Sequence, residues 1–160
     1  SIENAQPLIA ETKNGPVAIA HNGQFANCAS EKRRLQQEGC IFKSDSDTEI
    51  ILHRFARASG DSLDDIVSEC FHSMRPAYSI VMLTLNALVA VRDPAGVRPL
   101  VLGRVGKAWV VASETVAFDI IRAEYLGDPD FVRVPVAGSN PDVDTPADLA
   151  ALEALDRSRP

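Results

Sequence analysis

The apolar run Val17-Ala18-Ile19-Ala20 ends in His21-Asn22-Gly23, and downstream Ser46-Asp47-Thr48-Glu49 opens an amphipathic helical pattern. These two junctions constrain the chain most. The first stops an extended segment at an Asn-Gly pair, and the second starts a helix, so both place polar groups at element ends. Asn22 can point its amide N–H₂ beyond the strand, and Gly23 lets backbone approach a ligand closely. Two such donors aimed at one point can hold a developing oxyanion. Ser46 and Glu49 have capping-box spacing, which leaves the carboxylate of Asp47 free to face a cation such as an α-amino group. Each junction also has a plainer reading: Asn-Gly is a turn signal, and Asp in a first helical turn complements the helix dipole.

Bulk properties narrow the function classes. A chain of 160 residues can bury one proper core. Its net charge of −6 argues against a nucleic-acid surface, since phosphate binding needs clustered Lys and Arg. The basic cluster Lys32-Arg33-Arg34 is interleaved with Glu31 and Glu38, the pattern of a solvated helix face. No apolar run approaches the roughly 20 residues of a membrane helix. Neither nucleic acid nor membrane is therefore expected as a partner. Cys28, Cys40 and Cys70 form no close pair, so no metal site or disulfide framework is expected and a reducing cytoplasm fits best.

Asn14-Gly15-Pro16 reads as a turn, with a strand over 17–20 after it. Helices are expected over 27–38, from Asp47 to about Ala58, and from a cap at Asp61 to about Ser73. Strands are expected over 78–84, 87–92, 100–102 and 108–112, with turns at Leu85-Asn86 and Asp93-Pro94-Ala95-Gly96. Ser113 is positioned to cap a short helix to about Arg122. Composition changes after Tyr125: one strand over 131–136 precedes a helix capped by Thr145, running to about Leu155. Runs of antiparallel strands beside runs of helices imply a layered α+β class.

Several motifs occur in one order: Ile2-Glu3-Asn4-Ala5-Gln6-Pro7, His21-Asn22-Gly23, Ser46-Asp47-Thr48-Glu49, Ala77-Tyr78-Ser79, Arg92-Asp93-Pro94-Ala95-Gly96-Val97-Arg98-Pro99-Leu100 and Ala112-Ser113-Glu114-Thr115. In this the chain resembles the glutaminase (class II glutamine amidotransferase) domain of the amidophosphoribosyltransferases over about residues 1–126. The resemblance implies an N-terminal nucleophile hydrolase fold of layered antiparallel sheets between helices, incomplete at its N-terminus. It implies an oxyanion hole from Asn22 and Gly23, with Asp47 and His21 binding glutamine and Asp47 holding its α-amino group. It further implies hydrolysis of glutamine without a cofactor, the ammonia passing to phosphoribosyl pyrophosphate in a phosphoribosyltransferase domain. Arg92, Asp93 and Arg98 would be structural, tying a hairpin by charge-assisted hydrogen bonds.

The family's nucleophile is an N-terminal cysteine, and Ser1 matches an internal position well after it, so this chain is expected to be inactive by itself. Cys28, at a helix start, could have a lowered thiol pKa, although a buried structural thiol is the expectation. His53 and His72 show no carboxylate partners in the pattern. The segment 127–160 reads as a tail of different origin. Its Val134-Pro135-Val136 and Asp142-Val143-Asp144-Thr145-Pro146-Ala147-Asp148-Leu149 resemble the C-terminal end of molybdenum cofactor nucleotidyltransferases. Loss of a first strand would leave an unpaired sheet edge, which favours a homo-oligomer unless the tail strand fills it. Two other readings stay open: a non-catalytic small-molecule-binding or scaffold domain, and a nucleotidyltransferase-like protein defined by the tail.

Overall fold

A computed structural model describes residues 4–135. The helix expected after Thr145, and Asp142 and Asp144, lie outside the described residues. Twelve elements follow in order: β1 (Leu8–Thr12), β2 (Gly15–Gly23), α1 (Cys28–Gln37), α2 (Thr48–Arg57), α3 (Leu63–Phe71), β3 (Tyr78–Thr84), β4 (Ala87–Arg92), β5 (Val101–Val105), β6 (Ala108–Ala112), α4 (Val116–Ile121), β7 (Glu124–Gly127) and β8 (Phe131–Pro135).

The strands form two sheets, β1-β2-β3-β4-β8 and β6-β5-β7, and every pairing is antiparallel. Side chains alternate across a strand. In β2 and β3 one face therefore carries Val17, Ile19, Tyr78, Ile80 and Met82, all buried. These pack with Ile50, Ile51 and Phe55 of α2, Leu35 of α1 and Val67 of α3. The opposite face carries Ala18, Ala20, Asn22, Ser79 and Val81 and contributes to a cavity shared with β6. The second sheet is backed by α4: a Cβ at Gly103 of β5 would meet the Phe118 ring at 2.8 Å. Two antiparallel sheets with helices make the α+β class expected from the sequence.

Several boundaries differ from expectation for identifiable reasons. His21-Asn22-Gly23 is not a turn: β2 continues through Gly23, whose partner is Tyr78. β1 was not anticipated; it pairs with β2 through a two-residue turn, Lys13-Asn14. The Asn14 amide donates to the carbonyls of Phe55 (2.7 Å) and Ala58 (3.0 Å), closing the C-terminus of α2. The third helix is capped by Ser62 rather than Asp61, in a capping box with Asp65. Thr115, without a side-chain capping bond, replaces Ser113 at the start of α4. The expected Ser46–Glu49 box does not form, because Glu49 binds elsewhere.

The tail strand β8 joins the main sheet on β4, antiparallel, from Ala87↔Pro135 to Val91↔Phe131. Arg92 fastens it, donating to Asp130 Oδ1 (2.9 Å) and the Asp128 carbonyl (3.0 Å). Arg92 thus ties the β7–β8 connection rather than a hairpin of its own. Asp93 holds the 93–97 turn, accepting from the N–H groups of Tyr78 (3.3 Å), Ala95 (3.0 Å) and Val97 (3.5 Å). Arg98, expected to share this work, is exposed, and its guanidinium makes no hydrogen bond among the described residues.

Candidate functional site

The site forms where β2 ends. In an antiparallel ladder, successive N–H groups point to opposite sides of the strand. The Gln24 N–H donates to the Ala77 carbonyl (2.9 Å), toward β3, whereas the His21 N–H donates to Gln6 Oε1 on the other side. The Gly23 N–H shares the His21 side, beyond the last β1 partner, Leu8, which pairs with Ile19. Among the described residues it has no hydrogen-bond acceptor. Asn22 beside it is exposed, and its amide makes no hydrogen bond among the described residues. Gly23 adopts φ +131°, and a Cβ there would lie 2.2 Å from the Ala77 carbonyl oxygen, so glycine is required twice over.

Asp47 occupies the N-cap of α2 without capping it through its side chain. Its Oδ2 instead accepts the Phe25 N–H at 3.0 Å, and its Oδ1 lies 3.2 Å from His21 Nδ1. Burial pushes the Asp47 carboxyl up, but the bonds from His21 and the Phe25 N–H outweigh it and hold the group below its usual value. Asp47 is thus an ionised carboxylate at neutral pH, with lone pairs left for a cation. His21 Nδ1 also lies 3.2 Å from Thr48 Oγ1, and the ring stacks on Phe25 at 4.8 Å.

Glu49 accepts the N–H groups of Lys43 and Ser44, both at 2.9 Å, and the Ser44 hydroxyl at 2.7 Å. It therefore fastens the loop that delivers Asp47 instead of closing a box with Ser46. Ser46 Oγ accepts the Thr48 N–H at 3.3 Å. His53 does have a carboxylate neighbour, Glu49 Oε1 at 3.8 Å, and its ring packs on Phe42.

Alternation places His21 and Asp47 on the helix side of β2 and Asn22 on the opposite face. There a cavity of about 260 Å³ is lined by Gln6, Asn22 and Ser79 among others, with Val111, Ala112 and Ser113 supplied by β6 and its end. The Ser79 hydroxyl donates to the Arg98 (3.0 Å) and Pro99 (3.1 Å) carbonyls, fixing the cavity wall. No cysteine lines this cavity. Cys28 stands at the first turn of α1, yet burial and the Asp47 charge raise its pKa, against the fall a helix start alone suggests. Among the described residues no group of three or more His, Cys, Asp or Glu is placed to hold a metal ion.

The family model for the glutamine amidotransferase domain matches residues 1–119. The chain belongs to this family. It is 39% identical over 142 residues to the amidophosphoribosyltransferase of Rhizobium etli, covering 89% of this chain and 29% of that protein. Identity is 40% over 125 residues to the Bacillus subtilis enzyme (78% and 26%) and 47% over 127 residues to the chloroplastic enzyme of Glycine max (78% and 22%). Two solved structures are similar. The allosteric regulatory enzyme of purine biosynthesis superposes with TM-score 0.80 at 36% identity, covering 85% of this chain and 30% of that one. Glutamine phosphoribosylpyrophosphate amidotransferase from B. subtilis, complexed with ADP and GMP, gives 0.78 at 33% (88% and 34%).

The fold is accordingly that of the N-terminal nucleophile hydrolases, as the resemblance implied. The chain spans less than a third of the length of the curated relatives it matches. Within the site, the structure brings His21 and Asp47 together at one end of β2, with Asn22 and Gly23 next along the strand. The sequence reading missed the Phe25 N–H, Thr48 Oγ1 and Gln6. Phe25 acts through its backbone and so carried no side-chain signal, whereas Gln6 acts through its Oε1 and lay inside the motif over 2–7. Thr48 lay inside a motif already singled out.

Proposed function

We propose that this chain is the glutamine-holding part of an amidotransferase, with Asp47 receiving the α-ammonium of glutamine. His21 belongs to that amino end of the site. Asn22 Nδ2 and the Gly23 N–H receive the oxyanion that forms as the side-chain carboxamide is attacked. The observation that carries this reading is the pair of donors at the end of β2 that have no partner among the described residues, beside an ionised Asp47. In the whole protein the reaction is hydrolysis of glutamine to glutamate and ammonia. We propose that the ammonia passes to phosphoribosyl pyrophosphate on a phosphoribosyltransferase domain, in keeping with the names of the relatives.

The absence of a cysteine from the cavity lining supports a narrower statement for this chain by itself: it holds glutamine without turning it over. Binding of L-glutamine with no release of ammonia is the expected result. Ammonia release that disappears in Asn22→Ala would instead place a nucleophile within these residues. The free cysteines support a reducing compartment such as the cytoplasm. No helix among the described residues is long and apolar enough to cross a membrane. We also propose a boundary near residue 126 in the family match alone, which ends at 119; the fold continues past it, since β8 pairs with β4 and the match to the Rhizobium etli enzyme spans 142 residues.

A further inference from the structure

The His21 side chain is only 1% exposed, so a ligand in the cavity meets its neighbours before it meets the imidazole. Every contact of the ring points to a holding role. Nδ1 stands 3.2 Å from both Asp47 Oδ1 and Thr48 Oγ1. One face stacks on Phe25, whose own N–H grips the other oxygen of the same carboxylate. The His21 N–H is held by Gln6 Oε1. Nε2 is buried and has no partner among the described residues. An imidazole that carries its proton on Nδ1 leaves Nε2 as a bare acceptor, the less costly atom to leave unpaired in such a place.

We propose that His21 is a positioning residue: its Nδ1–H and the Phe25 N–H together fix the Asp47 carboxylate in the orientation that receives the α-ammonium of glutamine, a role that rests on the reading of Asp47 given above. Two donors arriving at different oxygens define the plane of the carboxylate. His21 selects for α-amino acids through Asp47, without touching them.

The test uses the chain in solution. The Asp47 carboxyl carbon and the Phe25 amide are followed by NMR against pH in wild type, His21→Phe and His21→Asn. Phe keeps the stack and removes the donor; Asn returns an N–H near the position of Nδ1. In wild type the two signals should move together below the ordinary aspartate range. His21→Phe should move that transition up, and His21→Asn should return it toward wild type. Affinity for L-glutamine should weaken about tenfold or more in His21→Phe, the size expected for one hydrogen bond to a charged group. Affinity for glutaramate, which lacks the α-amino group, should be unaltered. An unmoved Asp47 transition in His21→Phe overturns the proposal, and so does an equal loss for both ligands. If His21→Phe does not fold, His21→Ala read in the same way replaces it. A transition that moves as expected in a chain that never binds L-glutamine upholds the positioning contact and overturns the glutamine reading.

Discussion

The Phe25 N–H donates to Asp47 Oδ2 at 3.0 Å, joining the segment just past β2 to the start of α2. Residues far apart in sequence are thereby held as one site. The bond leaves the carboxylate charged, and it fixes the distance between the amino end of the site and the donors at Asn22 and Gly23.

Gly23→Ala should be among the most damaging single changes. Its φ of +131° suits glycine, and the added methyl would lie 2.2 Å from the Ala77 carbonyl. Strain and overpacking together should cost roughly 2–4 kcal/mol. Urea unfolding measures this; an unchanged midpoint would refute the described geometry.

Acid stability should depend on Glu49. Burial raises its pKa, but the bonds from Lys43 and Ser44 lower it further than burial raises it. A folded pKa below the unfolded one stabilises the protein above the ordinary value of 4.5 and ceases to do so as pH falls through the folded value. Glu49→Gln should therefore be less stable at neutral pH and lose less on acidification. Parallel pH–stability curves for the two proteins would contradict this.

Cys70 should resist alkylation in the native protein. Burial pushes its thiol up to about 12, and the side chain is inaccessible. Mass spectrometry after brief iodoacetamide treatment at pH 8 should find Cys70 unmodified until denaturant is added.

The β8 strand should loosen when Arg92 is removed. Arg92 is largely buried while Asp130 is exposed, so Arg92→Ala should cost about 1 kcal/mol. Hydrogen exchange at the β4–β8 ladder should quicken, while the β2–β3 ladder stays protected. A uniform change across both would show that β8 and the main sheet open as one unit.

The sequence was most legible where periodicity and burial coincide. β3 and β4 follow from nearly continuous apolar runs on either side of Leu85-Asn86, and α2 follows from Ile50, Ile51 and Phe55 on one face. It was least legible where tertiary partners decide. β1 is short and stabilised by pairing with β2, and β7 is largely exposed, so neither stands out locally. Ser46 and Glu49 had the spacing of a capping box, but the Lys43 and Ser44 N–H groups offered Glu49 better partners. Asn22, Gly23 and Asp47 were visible as chemistry. That β2 extends through Asn22 and Gly23, with no acceptor for the Gly23 N–H among the described residues, needed the strand register.

Calorimetric titration of L-glutamine into this chain and its Asp47→Asn variant decides whether Asp47 receives the α-ammonium. Saturable binding by the wild type is expected, weakened on the order of 10–100-fold in the variant, which keeps the shape and loses the charge. Equal affinity in the two proteins, or no saturable binding to a folded wild type, would contradict it.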